Sequence, residues 1–563
     1  MSLEPPFQPA ELSVTCPRVP FCVRLLPLLL ACSQAQAQTP PPPTVDPAQI
    51  QRQREELERQ RQQRPPQPTD PRLTAPRPAP SAPGASGPSF VLQRVEFSES
   101  RLLSRADLDA LVAPQLGKPT TFADVQALAQ RINALYFDRG YITARAFVPS
   151  QKIVDGVLKV RLVEAQLARL DPPEGSALSP AFVQELVGTP AGALIDVPRI
   201  SDRLQRLHRG TETRLALNFV PAEGPEPGLS VIKVQVEEPP FWTARLSLSN
   251  EGNDSVGREQ VSLNGALNNL LGRTDKLSLL AIASKGSTSA NLQYSLPLPG
   301  PFLAWGTRFT AGLSLGRTRA KSPGFETVKL DGDSDAYTLA LAQPLWSGGA
   351  WNLDGGANLG HSRSATDIAS QRFSDVRSDT VGLSLSLARL AEGSSLSGTL
   401  AVSSARTRAG GVPSRSTTVT QLYLNGQQAL ATGWWLQGRA NLQFTGDVAL
   451  PSNLQFQVGG PATVRGYVSP TASGDQGESA SLELHRLVAE RYDAFVFVDH
   501  GRSHTDGGLT TRLASAGLGL NWNGERWNVS ATVASPRREV SGQRDKTLLL
   551  VRASADLEKF WRR

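Results

Sequence analysis

Cysteine is almost absent from the 563 residues of this chain: the three present, Cys16, Cys22 and Cys32, all lie near the N-terminus. Histidine occurs only five times, and methionine once, at position 1. With so few sulfur and imidazole ligands, a zinc-type metal site is not expected. Charged residues make up 19 %, and the net charge of +7 is modest for the length. No lysine-rich patch stands out, which argues against nucleic acid as a partner. A glycine-rich phosphate loop ending in Lys-Ser/Thr is also missing, so nothing points to ATP or to another cofactor. Beyond the N-terminal segment there is no apolar run of 18 or more residues, which excludes a transmembrane helix. Aromatic residues are 6 % of the chain, but nine of them are Trp.

What is present begins with a removable segment. Arg18 and Arg24 precede the apolar run Leu25–Ala31, and Ala35-Gln36-Ala37 fits a small-x-small cleavage site, giving a signal peptide over 1–37. Cleavage there leaves a mature chain without cysteine or methionine. The long stretch before about Pro20 points to a translation start downstream of Met1. Leu29-Leu30-Ala31-Cys32 is a competing lipoprotein box, weakened by the large Leu30 in its slot. An exported chain that crosses a membrane without helices must do so as a closed β-barrel.

Residues 38–64 are polar. Pro-rich to begin with, they continue after Asp46-Pro47 as one expected helix over 47–64, rich in Gln, Glu and Arg and almost without an apolar face. Such a helix suits either open solvent or a water-filled cavity. Residues 65–88 carry nine prolines in 24 positions and read as an extended linker unable to pack a core.

Residues 89–164 then read as an α+β unit. Phe90–Phe97 alternates as a strand. Ser104 and Thr121 open helices with capping-box-like starts, and Gly140 stops the second. Strands are expected at about 141–148 and 157–163, around the hairpin signal Asp155-Gly156. The order strand, helix, helix, strand, strand recurs over 165–238. Ser179-Pro180 opens one helix there, and Ile200, Leu204 and Leu207 mark another.

From Phe241 the pattern becomes period two with small polar partners, the pattern of strands with one face to lipid and one to water. Trp242, Ala244, Leu246 and Leu248 alternate with Thr243, Arg245, Ser247 and Ser249; Val381, Leu383, Leu385 and Leu387 do the same with Gly382, Ser384, Ser386 and Ala388. Sixteen such segments can be placed between 241 and 563, of a size to hold strands of ~9–11 residues, and single-chain barrels prefer an even number. Trp242, Trp305, Trp346, Trp434, Trp435 and Trp527 suit an interfacial girdle, with core positions as the alternative for some of them. Gly312-Leu313-Ser314-Leu315-Gly316 matches a hydrolase nucleophile elbow on paper, but it sits in an alternating strand with no helix after it, and no chemistry is assigned to it. His500 and His504 lie at a strand end and do not form a helical ligand pair.

One stretch breaks the alternation. Residues 446–478 form a glycine-rich loop that contains Val464-Arg465-Gly466-Tyr467. Within the loop, Gln455-Phe456-Gln457-Val458-Gly459-Gly460 stands ahead of that motif and Gly474-Asp475-Gln476-Gly477 behind it, and Phe497-Val498-Asp499-His500-Gly501 follows the loop. Gly140-Tyr141-Ile142-Thr143-Ala144-Arg145, with Asp155-Gly156 soon after, and Tyr294-Ser295-Leu296-Pro297-Leu298-Pro299 complete a set. Together these stretches resemble the two-partner secretion outer-membrane transporters, which export haemolysins and filamentous adhesins.

The resemblance implies a 16-stranded outer-membrane β-barrel (241–563) preceded by two POTRA domains (89–164 and 165–238) and an N-terminal plug helix. It implies a pore of a Gram-negative outer membrane, with its POTRA domains in the periplasm. The pore would take one large exoprotein by its N-terminal secretion domain, without nucleotide hydrolysis or catalysis. The other expected partners are outer-membrane lipid and the barrel-assembly machinery that inserts the chain itself. It further implies that the loop folds into the lumen and that Arg465 pairs with Asp499 of the strand motif Phe497, Asp499 and Gly501. Alternation supports this on its own terms: Phe495, Phe497 and Asp499 share one strand face, while Val496 and Val498 share the lipid-suited one. The rival functions are a barrel-assembly factor of the same superfamily and a passive porin. The C-terminus departs from the family pattern, because Arg562 and Arg563 follow Trp561 where such barrels end on an aromatic residue.

Overall fold

The computed structural model describes residues 72–74 and 89–561, apart from 224–227, 299, 301–304, 320–329, 411, 447–448 and 541–545. The expected signal peptide, the helix at 47–64 and most of the Pro-rich linker lie outside the described residues.

The first α+β unit is organised by two short-range signals. Ser104 caps the helix Arg105–Val112 and Thr121 caps the helix Phe122–Asp138, each in a reciprocal capping box closed by an aspartate, Asp107 and Asp124. A cap of this kind contributes ~1 kcal/mol. Arg139 and Ser104 hold the Asp107 carboxyl below the usual carboxylate range. Helical spacing puts Val125, Leu128, Ile132 and Tyr136 on one buried face, against Leu158, Val160 and Leu162 of the sheet. That sheet places Val157–Val163 between Arg94–Phe97, parallel to it, and Arg145–Phe147, antiparallel. The strand expected at 141–148 is thus only three residues long, because Gly140–Ala144 is taken up by turns. Burial pushes the Tyr136 phenol well above its ordinary value, and its hydroxyl donates to Glu164 at 2.8 Å.

The second unit repeats the order. Helices Pro180–Val187 and Val197–Gly210 start at Ser179 and Asp196 and cover a sheet of Gln166–Asp171, Leu229–Glu237 and Arg214–Pro221. A fourth strand, Arg72–Thr74, pairs in parallel with Arg214–Pro221 on the outer edge. The expectation that 65–88 could pack no core is corrected at this point: Leu73 lies against the hydrophobic cluster of the second unit. Proline excludes long strands, but the Pro-free trio Arg72-Leu73-Thr74 is enough to reach an open edge.

Trp242–Ser249 to Leu548–Asp556 form a closed antiparallel barrel of sixteen strands, the first paired with the last from Arg245↔Asp556 to Ser249↔Arg552. Its outer surface is apolar, as at Val381, Leu383, Leu385 and Leu387, all exposed. The strands are not uniformly of spanning length. Leu330–Gly348, Gln371–Ala391 and Val412–Ala431 have 19, 21 and 20 residues. Cross-strand ion pairs such as Arg317–Asp333 (3.1 Å), Arg319–Asp331 (3.2 Å) and Arg363–Asp375 (2.8 Å) hold the strand ends that project past the apolar band.

The tryptophans divide into three roles. Trp242, Trp346 and Trp527 face outward. Trp305 instead packs on the second unit, 6.3 Å from the Phe182 ring and under the Arg203 guanidinium. Trp435 stacks on the buried His485 at 4.8 Å, and its neighbour Trp434 carries the Arg486 guanidinium at 4.7 Å. The girdle reading therefore fails for Trp305 and Trp435. Ser314 is an ordinary strand residue whose hydroxyl accepts from Asn291 Nδ2 at 2.6 Å. The last described residues form a short helix, Glu558–Trp561, with Glu558 accepting from the Ala244 amide and Phe560 edge-on to Trp527.

Candidate functional site

The long connection after Trp434–Thr445 turns back through the barrel. It makes a single helical turn at Ser452–Leu454 and a two-stranded ribbon of Phe456–Val458 and Ala472–Gly474. Side chains tie it to walls on several sides. Asn453 Nδ2 donates to Ser378 Oγ (3.1 Å) and Ser362 Oγ (3.3 Å), and Gln443 Nε2 donates to the Leu454 and Asp475 carbonyls. Asn253 donates to the Ser469 carbonyl, and Tyr467 Oη lies 2.9 Å from both the Ala514 and the Arg538 carbonyl oxygens, within reach to donate to either. The loop crosses the lumen and is anchored on both sides of it.

At its tip, Arg465 meets Asp499 of the strand Tyr492–His504. Arg465 Nε donates to Asp499 Oδ2 at 2.8 Å and Nη2 to Oδ1 at 2.7 Å, a two-pronged clasp, while the Arg465 amide donates to Oδ2 at 3.0 Å. Nη2 also reaches Ser481 Oγ at 2.9 Å and Glu483 Oε1 at 2.8 Å. The guanidinium lies 3.6 Å above the centroid of the Phe497 ring. Arg465 and Asp499 are buried, at 7 % and 4 % exposed. A fork-to-fork pair with a stacked face is the geometry that arginine provides and lysine cannot.

Strand pleat sets this arrangement. Phe495, Phe497 and Asp499 point inward, whereas Val496 and Val498 are 54 % and 55 % exposed on the outside. On the neighbouring strand Gln476–Ala489, Ser481, Glu483 and His485 stand opposite Asp499, Phe497 and Phe495. Two glycines make room for the loop. Gly501 faces Val464, and a Cβ there would come within 2.6 Å of Val464 Cγ2. Gly466 has φ +92°, a backbone state that other residues rarely adopt, and it lies against the Ala534 backbone.

Sequence reasoning missed the extension of this cluster. Glu483 Oε2 is 3.1 Å from His485 Nε2, and His485 Nδ1 is 3.0 Å from Asp493 Oδ1. The His485 ring is sandwiched between Trp435 and Phe495 at 4.8 and 5.0 Å. A continuous polar chain thus runs Asp499–Arg465–Glu483–His485–Asp493 along the inner wall. The available signal was Ser481-Leu482-Glu483-Leu484-His485, an alternation with charge on the inward face. His500 pairs with Glu478 at 3.7 Å, and His504 accepts or donates at Thr510 Oγ1. Among the described residues no cluster suited to a metal ion is found.

The second α+β unit is fixed to the barrel rim. Arg209 contacts Asp354 Oδ1 at 2.5 Å and Ser347 Oγ at 2.7 Å, Arg273 contacts Glu185 at 2.8 Å, and Lys276 contacts Glu212 at 2.9 Å.

Comparison with known proteins agrees with this architecture. Residues 90–165 match the POTRA domain of ShlB type, and residues 228–522 match the haemolysin secretion/activation proteins ShlB/FhaC/HecB. The outer membrane transporter CdiB of Dickeya dadantii is 26 % identical over 267 residues, which cover 47 % of this chain and 46 % of that protein. The heme/hemopexin transporter protein HuxB of Haemophilus influenzae Rd is 24 % identical over 491 residues, 80 % of this chain and 84 % of that protein. The solved structure of CdiB from Escherichia coli shares the fold with a TM-score of 0.67 at 21 % identity, covering 90 % of this chain and 96 % of that one. With a closed sixteen-stranded barrel, periplasmic POTRA units and a family match over more than half its length, this chain belongs to the ShlB/FhaC/HecB haemolysin secretion/activation family of outer-membrane transporters.

Proposed function

We propose that the chain is the dedicated outer-membrane pore for one large exoprotein, of adhesin or haemolysin type. The observation that carries this reading is the loop seated in the lumen. A sixteen-stranded barrel is wide enough to hold an aqueous channel, and here the lumen is crossed by a loop whose tip is held by the buried clasp Arg465–Asp499 and whose flanks are tied to the wall through Asn453 and Tyr467. Val464, Gly466 and Tyr467 shape the loop tip, while Phe497 and Gly501 shape the wall that receives it. Releasing or moving that clasp changes the lumen without breaking a strand of the wall.

In this reading residues 1–37 are removed on export, 89–164 and 165–238 are POTRA units that hold the N-terminal secretion domain of the partner in the periplasm, and 47–64 is a helix that blocks the pore at rest. A linker of 24 residues at ~3.1 Å each spans more than 70 Å, enough for that helix to leave. The exoprotein threads through as an extended chain, and its folding outside gives direction without nucleotide hydrolysis. Lipid surrounds the apolar belt, and the cell's barrel-assembly machinery inserts the chain. No catalytic step is assigned.

The test is quantitative mass spectrometry of secreted, surface and outer-membrane proteins with and without the gene. Loss of one large exoprotein with other barrels unchanged is expected. A general fall in outer-membrane barrels would replace this reading with an assembly factor, and no change would leave a passive channel.

A further inference from the structure

Asp354, which Arg209 of the second POTRA unit contacts, marks the periplasmic end of the strand Trp351–Ile368. Arg363 stands nine residues further along the same strand. At ~3.3 Å per residue that is about 30 Å. At the ~40° tilt usual for such barrels it is ~23 Å of height, close to the ~25 Å of the apolar band. The outward faces of the next two strands agree. On Gln371–Ala391, Leu387, Leu385, Leu383 and Val381 are exposed, and alternation continues that face with Asp379, Arg377 and Asp375. Ser378, between them, is fully buried and holds Asn453 of the lumenal loop. On Ser394–Ala409 the exposed Leu400 and Val402 lead in the same way to Arg406 and Arg408.

Just above the band, neighbouring strands treat their charges differently. Arg317 stands directly opposite Asp333, and Arg319 opposite Asp331, so each cation meets an anion. Further round the wall like charges meet. Arg363 stands directly opposite Arg377, and Arg377 directly opposite Arg408. Three arginines thus lie level on three adjacent strands, in a row about 10 Å wide. Like charges placed directly opposite destabilise a sheet. The carboxylates beside the row neutralise it only in part. Asp375 accepts from Arg363 at 3.1 and 2.8 Å and lies 3.5 Å from Arg377. Asp379 lies 3.2 Å from Arg408 and 2.7 Å from His361, and Asp335 stands opposite Arg363 on its other side. Residues 361–379 and 403–410 together hold five arginines against three aspartates. The Arg377 and Arg408 side chains stay 54 % and 53 % exposed, open to a further anion.

An excess of guanidinium at the level where hydrocarbon gives way to water is complementary to phosphate, which arginine grips in a fixed fork. Basic clusters at that level hold lipid head groups. Directly below the row, Leu383 and Val402 stand opposite one another on the outer face, with Val381 beside them. A free phosphate would make no use of that apolar strip, whereas the acyl chains of a lipid would cover it. We propose that Arg363, Arg377 and Arg408 form a binding site for the phosphate-bearing head group of an outer-leaflet lipid, whose acyl chains lie along Val381, Leu383 and Val402. The bound phosphate supplies the anion that the row lacks and relieves the repulsion within it.

The test uses the full-length protein purified in a non-ionic detergent, with binding read by native mass spectrometry. The probes are diphosphorylated lipid A, the same lipid with both phosphates removed, and inorganic phosphate. The wild type is expected to bind lipid A at least tenfold more tightly than the dephosphorylated lipid. Inorganic phosphate is expected to show no saturable binding where lipid A saturates. Combining Arg363→Gln, Arg377→Gln and Arg408→Gln is expected to lower the affinity for lipid A at least tenfold. Arg317→Gln with Arg319→Gln, which changes the neighbouring ladder of matched charges, is expected to leave it within twofold. Arg377→Gln alone keeps the Arg363–Asp375 and Arg408–Asp379 pairs, is expected to lose at least threefold, and decides the matter if the triple variant fails to assemble. Unchanged affinity in Arg377→Gln, or an equal loss in the Arg317 and Arg319 variant, would overturn the site. So would equal binding of the dephosphorylated lipid, or inorganic phosphate held as tightly as lipid A.

Discussion

Arg465 and Asp499, 34 positions apart in sequence, are joined by two parallel side-chain hydrogen bonds of 2.7 and 2.8 Å, and a third comes from the arginine's own amide. The same carboxylate therefore fixes both the side chain and the backbone of the loop tip. Removing one partner of a buried pair costs about 3–5 kcal/mol, and less where water reaches it. Arg465→Ala and Asp499→Ala are each expected to lower secretion of the exoprotein severalfold while the barrel still assembles, as judged by heat-modifiable migration. The double variant is expected to be no worse than either single one, because the second change removes a charge already orphaned. Normal secretion in both single variants would remove the clasp from the mechanism.

Arg465→Lys separates charge from shape. Lysine keeps the positive charge but cannot grip both carboxylate oxygens, reach Glu483 and stack on Phe497 together. Secretion is expected to fall nearly as far as in Arg465→Ala. Full activity in the lysine variant would mean that only the charge matters.

Much of this site follows from alternation alone. Leu482, Leu484, Val496 and Val498 mark outward faces, so Ser481, Glu483, His485 and Asp499 must point inward on their two strands. What alternation cannot supply is the offset between neighbouring strands. Whether Glu483 lies level with Phe497 or two residues away depends on the register, and that is settled by the bulge between Leu487 and Ala489 together with the rest of the wall. The same limit explains the strand lengths. Past the lipid there is no apolar face to read, and the ladder is continued by ion pairs such as Arg363–Asp375. Sequence left Trp305 open between girdle and core, because a tryptophan near a strand end looks the same whether it meets lipid or a neighbouring domain. The linker strand escaped notice because three residues carry no periodicity.

Gly501 tests whether the loop's seat depends on shape as well as charge. A Cβ at this position would lie 2.6 Å from Val464 Cγ2. Gly501→Val is expected to lift the loop tip and lower secretion, with the barrel still formed. Val464→Ala in the same chain is expected to restore part of the loss by removing the methyl that clashes. If the second change gave no recovery, the defect would lie in the strand and not in the contact.

The attachment of the second POTRA unit makes a separate prediction. Arg209 is buried at the rim and reaches Asp354, Ser347 and two carbonyls, those of Trp346 and Leu353. Arg209→Glu places a carboxylate beside Asp354 and leaves these acceptors without a donor. The distance distribution between spin labels on the unit and on the barrel is expected to broaden. Combining Arg209→Glu with Asp354→Arg is expected to narrow it again, since the pair is restored with its sign reversed.

Ile132 asks whether the first POTRA unit acts as a folded body. Its side chain is fully buried between the helix Phe122–Asp138 and the sheet. Ile132→Ala removes three carbons from a packed core, a change that costs about 2–5 kcal/mol. Units of this size have only ~5–15 kcal/mol of stability in total, so the unit is expected to become sensitive to protease near Gly140. The barrel, which shares no part of that core, should keep its heat-modifiable migration. Secretion is then expected to fall in step with the fraction of the unit that is cleaved. Undiminished secretion from a chain whose first unit is fully cleaved would show that export does not need that unit intact.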